Sequence, residues 1–115
     1  MRTCNSLFIL CFSLVMTQAV SADNKYAPTS VEMEVNKVSD HVYYVEGSAG
    51  IATDNEGFIS NAGFVVTGDG VVVFDSLGTP SLANKLASKI REIADQPSRA
   101  VMVRHSEGER RGGVR

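Results

Sequence analysis

At 115 residues the chain has room for one small domain. Eleven basic residues against 13 acidic ones give a formal charge of −2, which argues against nucleic acid or an anionic membrane surface as partner. Both cysteines, Cys4 and Cys11, fall near the N-terminus, so the rest of the chain has no disulfide, thiolate ligand or thiol nucleophile.

Residues 1–22, "MRTCNSLFILCFSLVMTQAVSA", have the layout of a signal peptide. Arg2 supplies the basic start, Leu7–Met16 an apolar core too short for a stable membrane span, and Val20 and Ala22 the small residues before a cut. Cleavage after Ala22 is expected, with a secreted or periplasmic product that has no membrane partner once cut. Cys11 lies inside the apolar core rather than after it, which excludes a lipid anchor. Without Arg2, ten basic residues remain against 13 acidic ones. Residues 23–36 read as a polar lead-in, and residues 37–115 as the domain. About 80 residues bury only a marginal core in the absence of disulfides.

In "KVSDHVYYVEG" (Lys37–Gly47) a Ser-Asp turn leads into Val42, Tyr43, Tyr44 and Val45, all strong strand formers. A loop containing Gly and Asp, Ser48–Gly57, follows. Next come "FISNAGFVVT" and "VVVFD", separated by Gly68-Asp69-Gly70, a clear hairpin signal. Thr79 is placed to cap a helix beginning at Pro80, with Leu82, Leu86, Ile90, Ile93 and Ala94 at helical spacing. "DQPSR" (Asp95–Arg99) ends that helix, and Ala100–Val103 forms a last short strand. The predicted order is β-β-β-α-β. An apolar strand after a helix implies a parallel crossover, hence an α+β fold with a helix on one face of a sheet.

Residues suited to chemistry are few. His41 stands in a turn with no second His, Cys or paired carboxylate beside it, and reads as an ordinary exposed residue. Asp75 ends a strand of buried character, where a carboxylate needs a partner, so it caps a loop or supports a site. After the last strand stand His105, Glu107 and Glu109 at alternate positions. These three can converge on one cation, and imidazole with carboxylate suits zinc or manganese. On spacing alone, "EGERR" reads first as a solvated charge cluster.

From Lys37 to Gly113 the chain resembles the metallo-β-lactamase superfamily, most of all its secreted MBL-fold metallo-hydrolases. The resemblance is carried by "KVSDHVYYVEG", "SNAGFVVTGDGVVVFDSLGTP", "SLANKLASKIREI" and "RAVMV" ending in His105. It implies the N-terminal part of an αββα sandwich. It also implies zinc-assisted hydrolysis of a small-molecule ester, lactam or thioester. The superfamily carries His-x-His-x-Asp-His after this strand, often followed by x-Gly-Gly. The first histidine matches His105, the second falls on Glu107, the aspartate on Glu109, the last histidine on Arg110, and the glycine pair on Gly112 and Gly113. One subclass of true β-lactamases is similar in carrying arginine at the place of Arg110. By resemblance only His105 transfers as a ligand, and Glu109 is a conservative change with an extra methylene and the candidate catalytic carboxylate; Glu107 joins His105 and Glu109 as a metal-ligand candidate by spacing. The expectation is a truncated metallo-hydrolase domain with a degenerate metal motif, inactive as this chain. The competing expectation is a secreted, non-catalytic binding or accessory module that keeps only the scaffold.

Overall fold

The register of the sheet is set at the Gly68-Asp69 turn. Thr67 pairs with Gly70, the Thr67 hydroxyl donates to the Gly70 carbonyl at 2.6 Å, and the Asp69 N–H donates to the Thr67 hydroxyl at 3.2 Å. Gly70 adopts φ 139, and a Cβ there would meet the Pro97 carbonyl oxygen at 2.7 Å. Only glycine lets the chain pass this close to the start of the last strand.

The computed structural model describes residues 25–104. Its elements are β1 (Val35–Ser39), β2 (Val42–Val45), β3 (Ala62–Thr67), β4 (Gly70–Phe74), α1 (Pro80–Ile93) and β5 (Ser98–Met102). They form one sheet in the order β1-β2-β3-β4-β5, antiparallel from β1 to β4, with β5 parallel to β4. The α+β class and the parallel crossover through α1 are as expected from the sequence. The strand count differs by one, because β1 precedes the strand expected first. Within β1 only Val35 and Asn36 are half-buried, and the other three residues are exposed. It is an edge strand lacking the long apolar run that marks a strand in sequence.

Alternation along the strands divides the sheet into two faces. Val45, Ala62, Phe64, Val71 and Val73 point to the face that α1 covers with Leu82, Leu86 and Ile90. Tyr43 stacks on Phe64 on that face, ring centroids 5.0 Å apart. The helix starts where the sequence places it. The Thr79 hydroxyl accepts from the Leu82 N–H at 3.3 Å, and Pro80 occupies the first turn, where a missing N–H costs nothing. Ile93, grouped with the apolar stripe by spacing, is 40 % exposed at the last helical residue, while Ala94 after it is buried.

The lead-in is less polar in its role than in its composition. Met33 is buried in the core and Val31 packs against it. Lys85 on α1 donates to the Val31 carbonyl, and Ser30 donates to Glu56 through both its N–H and its hydroxyl. Among the described residues, no helix is long and apolar enough to cross a membrane. The predicted leader, residues 1–22, lies outside the described residues.

Candidate functional site

The register brings three connections to one edge of the sheet: the β2–β3 loop, the turn after β4, and the chain leaving β5. The turn after β4 is conformationally unusual. Asp75 and Leu77 both adopt the left-handed region, with φ 58 and 66, and both are fully buried. Aspartate tolerates that region, but leucine does so rarely, so the surrounding packing must enforce it. Backbone strain of this kind costs on the order of 1–3 kcal/mol per residue and concentrates at functional sites.

Asp75 needs partners, as the sequence requires of it. Its N–H donates to the Met102 carbonyl at 2.8 Å, which extends the parallel ladder by one step. Its carboxylate accepts the Arg104 backbone N–H at 3.2 Å on one oxygen and Arg104 Nε at 3.1 Å on the other. The carboxylate side chain is 2 % exposed and the arginine 64 %. Asp75 therefore fixes the path of the chain as it leaves β5. Arg104 is the residue that sequence reasoning missed. The available signal was an arginine just past a strand that runs parallel to the one ending in Asp75.

An open concavity of about 400 Å³ adjoins this pair, lined by Tyr44, Asn61, Gly63, Phe74, Asp75 and Arg104 among others. The β2–β3 loop is held by its own bonds. Asn61 accepts the Gly47 N–H at 2.9 Å, and the Asn55 amide donates to the Ser48 and Phe58 carbonyls at 3.1 and 3.0 Å. Glu56, at φ 55 in that loop, has its pKa lowered from 4.5, first by the Ser30 hydroxyl, then by Thr29 and the Ser30 N–H, with a minor contribution from Lys85. It anchors the lead-in and is committed there.

His41 is exposed in the β1–β2 turn. Its carbonyl accepts the Val66 N–H at 2.8 Å, and Val66 pairs with Val71 near the start of β4, so His41 lies at the end of the sheet away from Asp75. The candidate ligands His105, Glu107 and Glu109, with Arg110, Gly112 and Gly113, lie outside the described residues. Among the described residues, no group of three His, Cys, Asp or Glu side chains could hold a metal ion. Asp75 is taken up by Arg104 and acts as a positioning residue.

No family model matches the chain, and no curated protein does. Among solved structures it is similar to TMB-1, a metallo-β-lactamase whose structure was described for its substrate and inhibitor binding, at 22 % identity and a TM-score of 0.55. The match covers 71 % of this chain and 37 % of TMB-1. The five-stranded sheet and its helix thus have the fold of part of a metallo-β-lactamase sandwich.

Proposed function

We propose that the chain is an exported metallo-hydrolase scaffold, built to present a metal motif at the carboxyl ends of β4 and β5 and carrying that motif in altered form. One observation supports this above others. Buried Asp75, at a left-handed position, grips Arg104 by main chain and side chain, one residue before His105. Ligand sites of sheets with parallel strands lie beyond the carboxyl ends of those strands.

On this reading His105, Glu107 and Glu109 are the metal ligands, a donor set acceptable to zinc. Bound zinc would supply a water with a pKa near 7, and so hydroxide able to attack an ester, lactam or thioester carbonyl of a small-molecule substrate. The described residues contribute positioning, since Asp75 holds the strand exit. Two features of the motif weaken the site. Glu109 is a methylene longer than the aspartate of the motif it resembles, and ligand distances tolerate only about 0.2 Å. Glu107 puts a carboxylate where an imidazole is expected, which adds negative charge at the metal and makes bound water less acidic. The chain as it stands holds zinc poorly and does not turn over substrate.

Metal content by mass spectrometry after dialysis, with nitrocefin and a lactone as substrates, tests this. Stoichiometric zinc with turnover would overturn the proposed inactivity. A purified chain still beginning at Met1 after passage through an exporting host would overturn export.

The alternative, a non-catalytic secreted module, is favoured by the mutual satisfaction of Asp75 and Arg104, which gives the scaffold a reason to persist without metal. A metal protein loses thermal stability on adding chelator, whereas the module does not change, and neither does its His105→Ala variant.

A further inference from the structure

Residues 25–34 approach β1 without forming a helix or strand, and a single carboxylate fixes their path. Glu56 in the β2–β3 loop accepts the Ser30 N–H at 3.1 Å and the Ser30 hydroxyl, both on the same oxygen. The Thr29 hydroxyl, which accepts the Val31 N–H at 3.2 Å, also helps to hold that carboxylate ionised. From Val31 onward the segment belongs to the core: Val31 packs against it, Met33 is buried in it, and the Val31 carbonyl accepts from Lys85. Before Val31 the surroundings are polar. Pro28 and Thr29 form one wall of a cleft of about 220 Å³, whose other wall is Ser81, Asn84, Lys85 and Ser88 on α1. We propose that residues 25–30 are an acid-released strap, latched over this flank of α1 by Glu56 and swinging about Val31.

The latch depends on charge. An ionised carboxylate binds its donors about twice as strongly as a neutral acceptor, and protonation removes that advantage. Hydrogen bonds to the ionised form keep the Glu56 pKa below its ordinary 4.5, the Ser30 hydroxyl first among them. The strap is therefore held through neutrality and released as pH falls below that value. No neighbouring charge takes over. Lys85 faces Glu56 from α1, and its attraction disappears with the charge. Asp54, two residues back in the loop, is exposed and takes the Thr53 hydroxyl at 3.3 Å. Glu32 and Glu34 are exposed, and Lys25 lies 5.8 Å from the centroid of the Tyr26 ring. The loop itself turns at a conformational cost, with Glu56 at φ 55, and the bonds to Ser30 offset it. The contacts of Val31 and Met33 lie beyond the hinge, so opening stops there and leaves the sheet folded. The cleft then opens to solvent with Lys85 on its remaining wall. None of these contacts involves the proposed metal ligands, so the strap stands or falls apart from the metal reading.

The test is NMR of the chain in the form its host produces, with amide shifts and hydrogen exchange read residue by residue across pH. In the parent the Ser30 amide proton should shift with a midpoint below 4.5. Residues 25–30 should lose protection over the same range while β3 and β4 keep theirs. Glu56→Gln should abolish that titration and speed exchange of residues 25–30 by about fivefold at neutral pH, with the strands unchanged. Glu32→Gln, at an exposed position of the same segment, should do neither. Loss of protection in strap and strands together would overturn the proposal, since acid would then unfold the whole sheet. Equal exchange of residues 25–30 in the parent and Glu56→Gln, or an equal effect of Glu32→Gln, would overturn it as well.

Discussion

Asp75 and Arg104, 29 residues apart in sequence, close the carboxyl ends of two parallel strands with two hydrogen bonds to one buried carboxylate. One bond comes from the backbone and one from the guanidinium, so removing the side chain takes a charge-assisted bond from the carboxylate. Hydrogen bonds to charged groups contribute about 1.5–3 kcal/mol, and the arginine's exposure favours the lower end. Arg104→Ala should cost about 1.5 kcal/mol, a fall in Tm of roughly 6–12 °C for a domain of this size. Thermal unfolding followed by circular dichroism measures it. A Tm within one degree of the parent would show that the guanidinium contributes nothing to holding Asp75.

Gly47 anchors the loop that shares this edge. A Cβ there would lie 2.6 Å from Ser60 N, 2.7 Å from the Ile59 carbonyl carbon and 2.7 Å from the Ser60 carbonyl oxygen. All three are backbone atoms, so no side chain can swing away to make room. Gly47→Ala should destabilise by about 1–3 kcal/mol, with the shift confined to the β2–β3 loop. Urea unfolding gives the magnitude, and hydrogen exchange locates the change. Unaltered exchange across residues 46–61 would contradict the close approach.

What the sequence allowed one to read follows from how local each cause is. The β3–β4 hairpin came from two glycines and an aspartate between apolar runs, and α1 from Thr79 and Pro80 at its start. Both are decided by neighbours in the chain. Strand β1 escaped notice because an edge strand needs no continuous apolar run, and Val35 alone does not distinguish it from the polar lead-in. Met33 escaped for a related reason, since a methionine between Glu32 and Glu34 looks solvated until a core is present to receive it. The site divides the same way. Asp75 could be singled out because a carboxylate ending a buried strand requires a partner, but which residue answers it depends on a parallel register that no local signal encodes. Ile93 fell in the helical stripe by spacing, yet the helix ends there and leaves it exposed.

Glu56 ties the lead-in to the β2–β3 loop, and its pKa lies below its ordinary 4.5, chiefly because the Ser30 hydroxyl donates to the carboxylate. A depressed pKa in the fold means that the stabilisation is present above the unfolded value and disappears as pH falls through the folded one. The difference in stability between the parent and Glu56→Gln should therefore be constant near neutrality and shrink to nothing as pH drops below about 4.5. Denaturant unfolding of both proteins across that range measures it. A difference that persists at low pH would show that the glutamine loses packing rather than charge.

The last prediction tests the register of the altered motif against the alternative of a plain charged segment. If residues 105–110 occupy the positions of a zinc motif, then Glu107→His, Glu109→Asp and Arg110→His together should restore metal binding, because each returns a donor of the right reach and charge to its place. Ligand that binds only the folded state stabilises it, by about 2.7 kcal/mol at a hundredfold excess over Kd. The triple variant should therefore gain Tm with added zinc and lose the gain with chelator, while the parent moves little. Adding Asp75→Ala to the triple variant should erase much of the gain if a fixed strand exit is what positions the ligands. Should the triple variant bind no more zinc than the parent, the segment is a solvated charge cluster, and the scaffold-only reading stands.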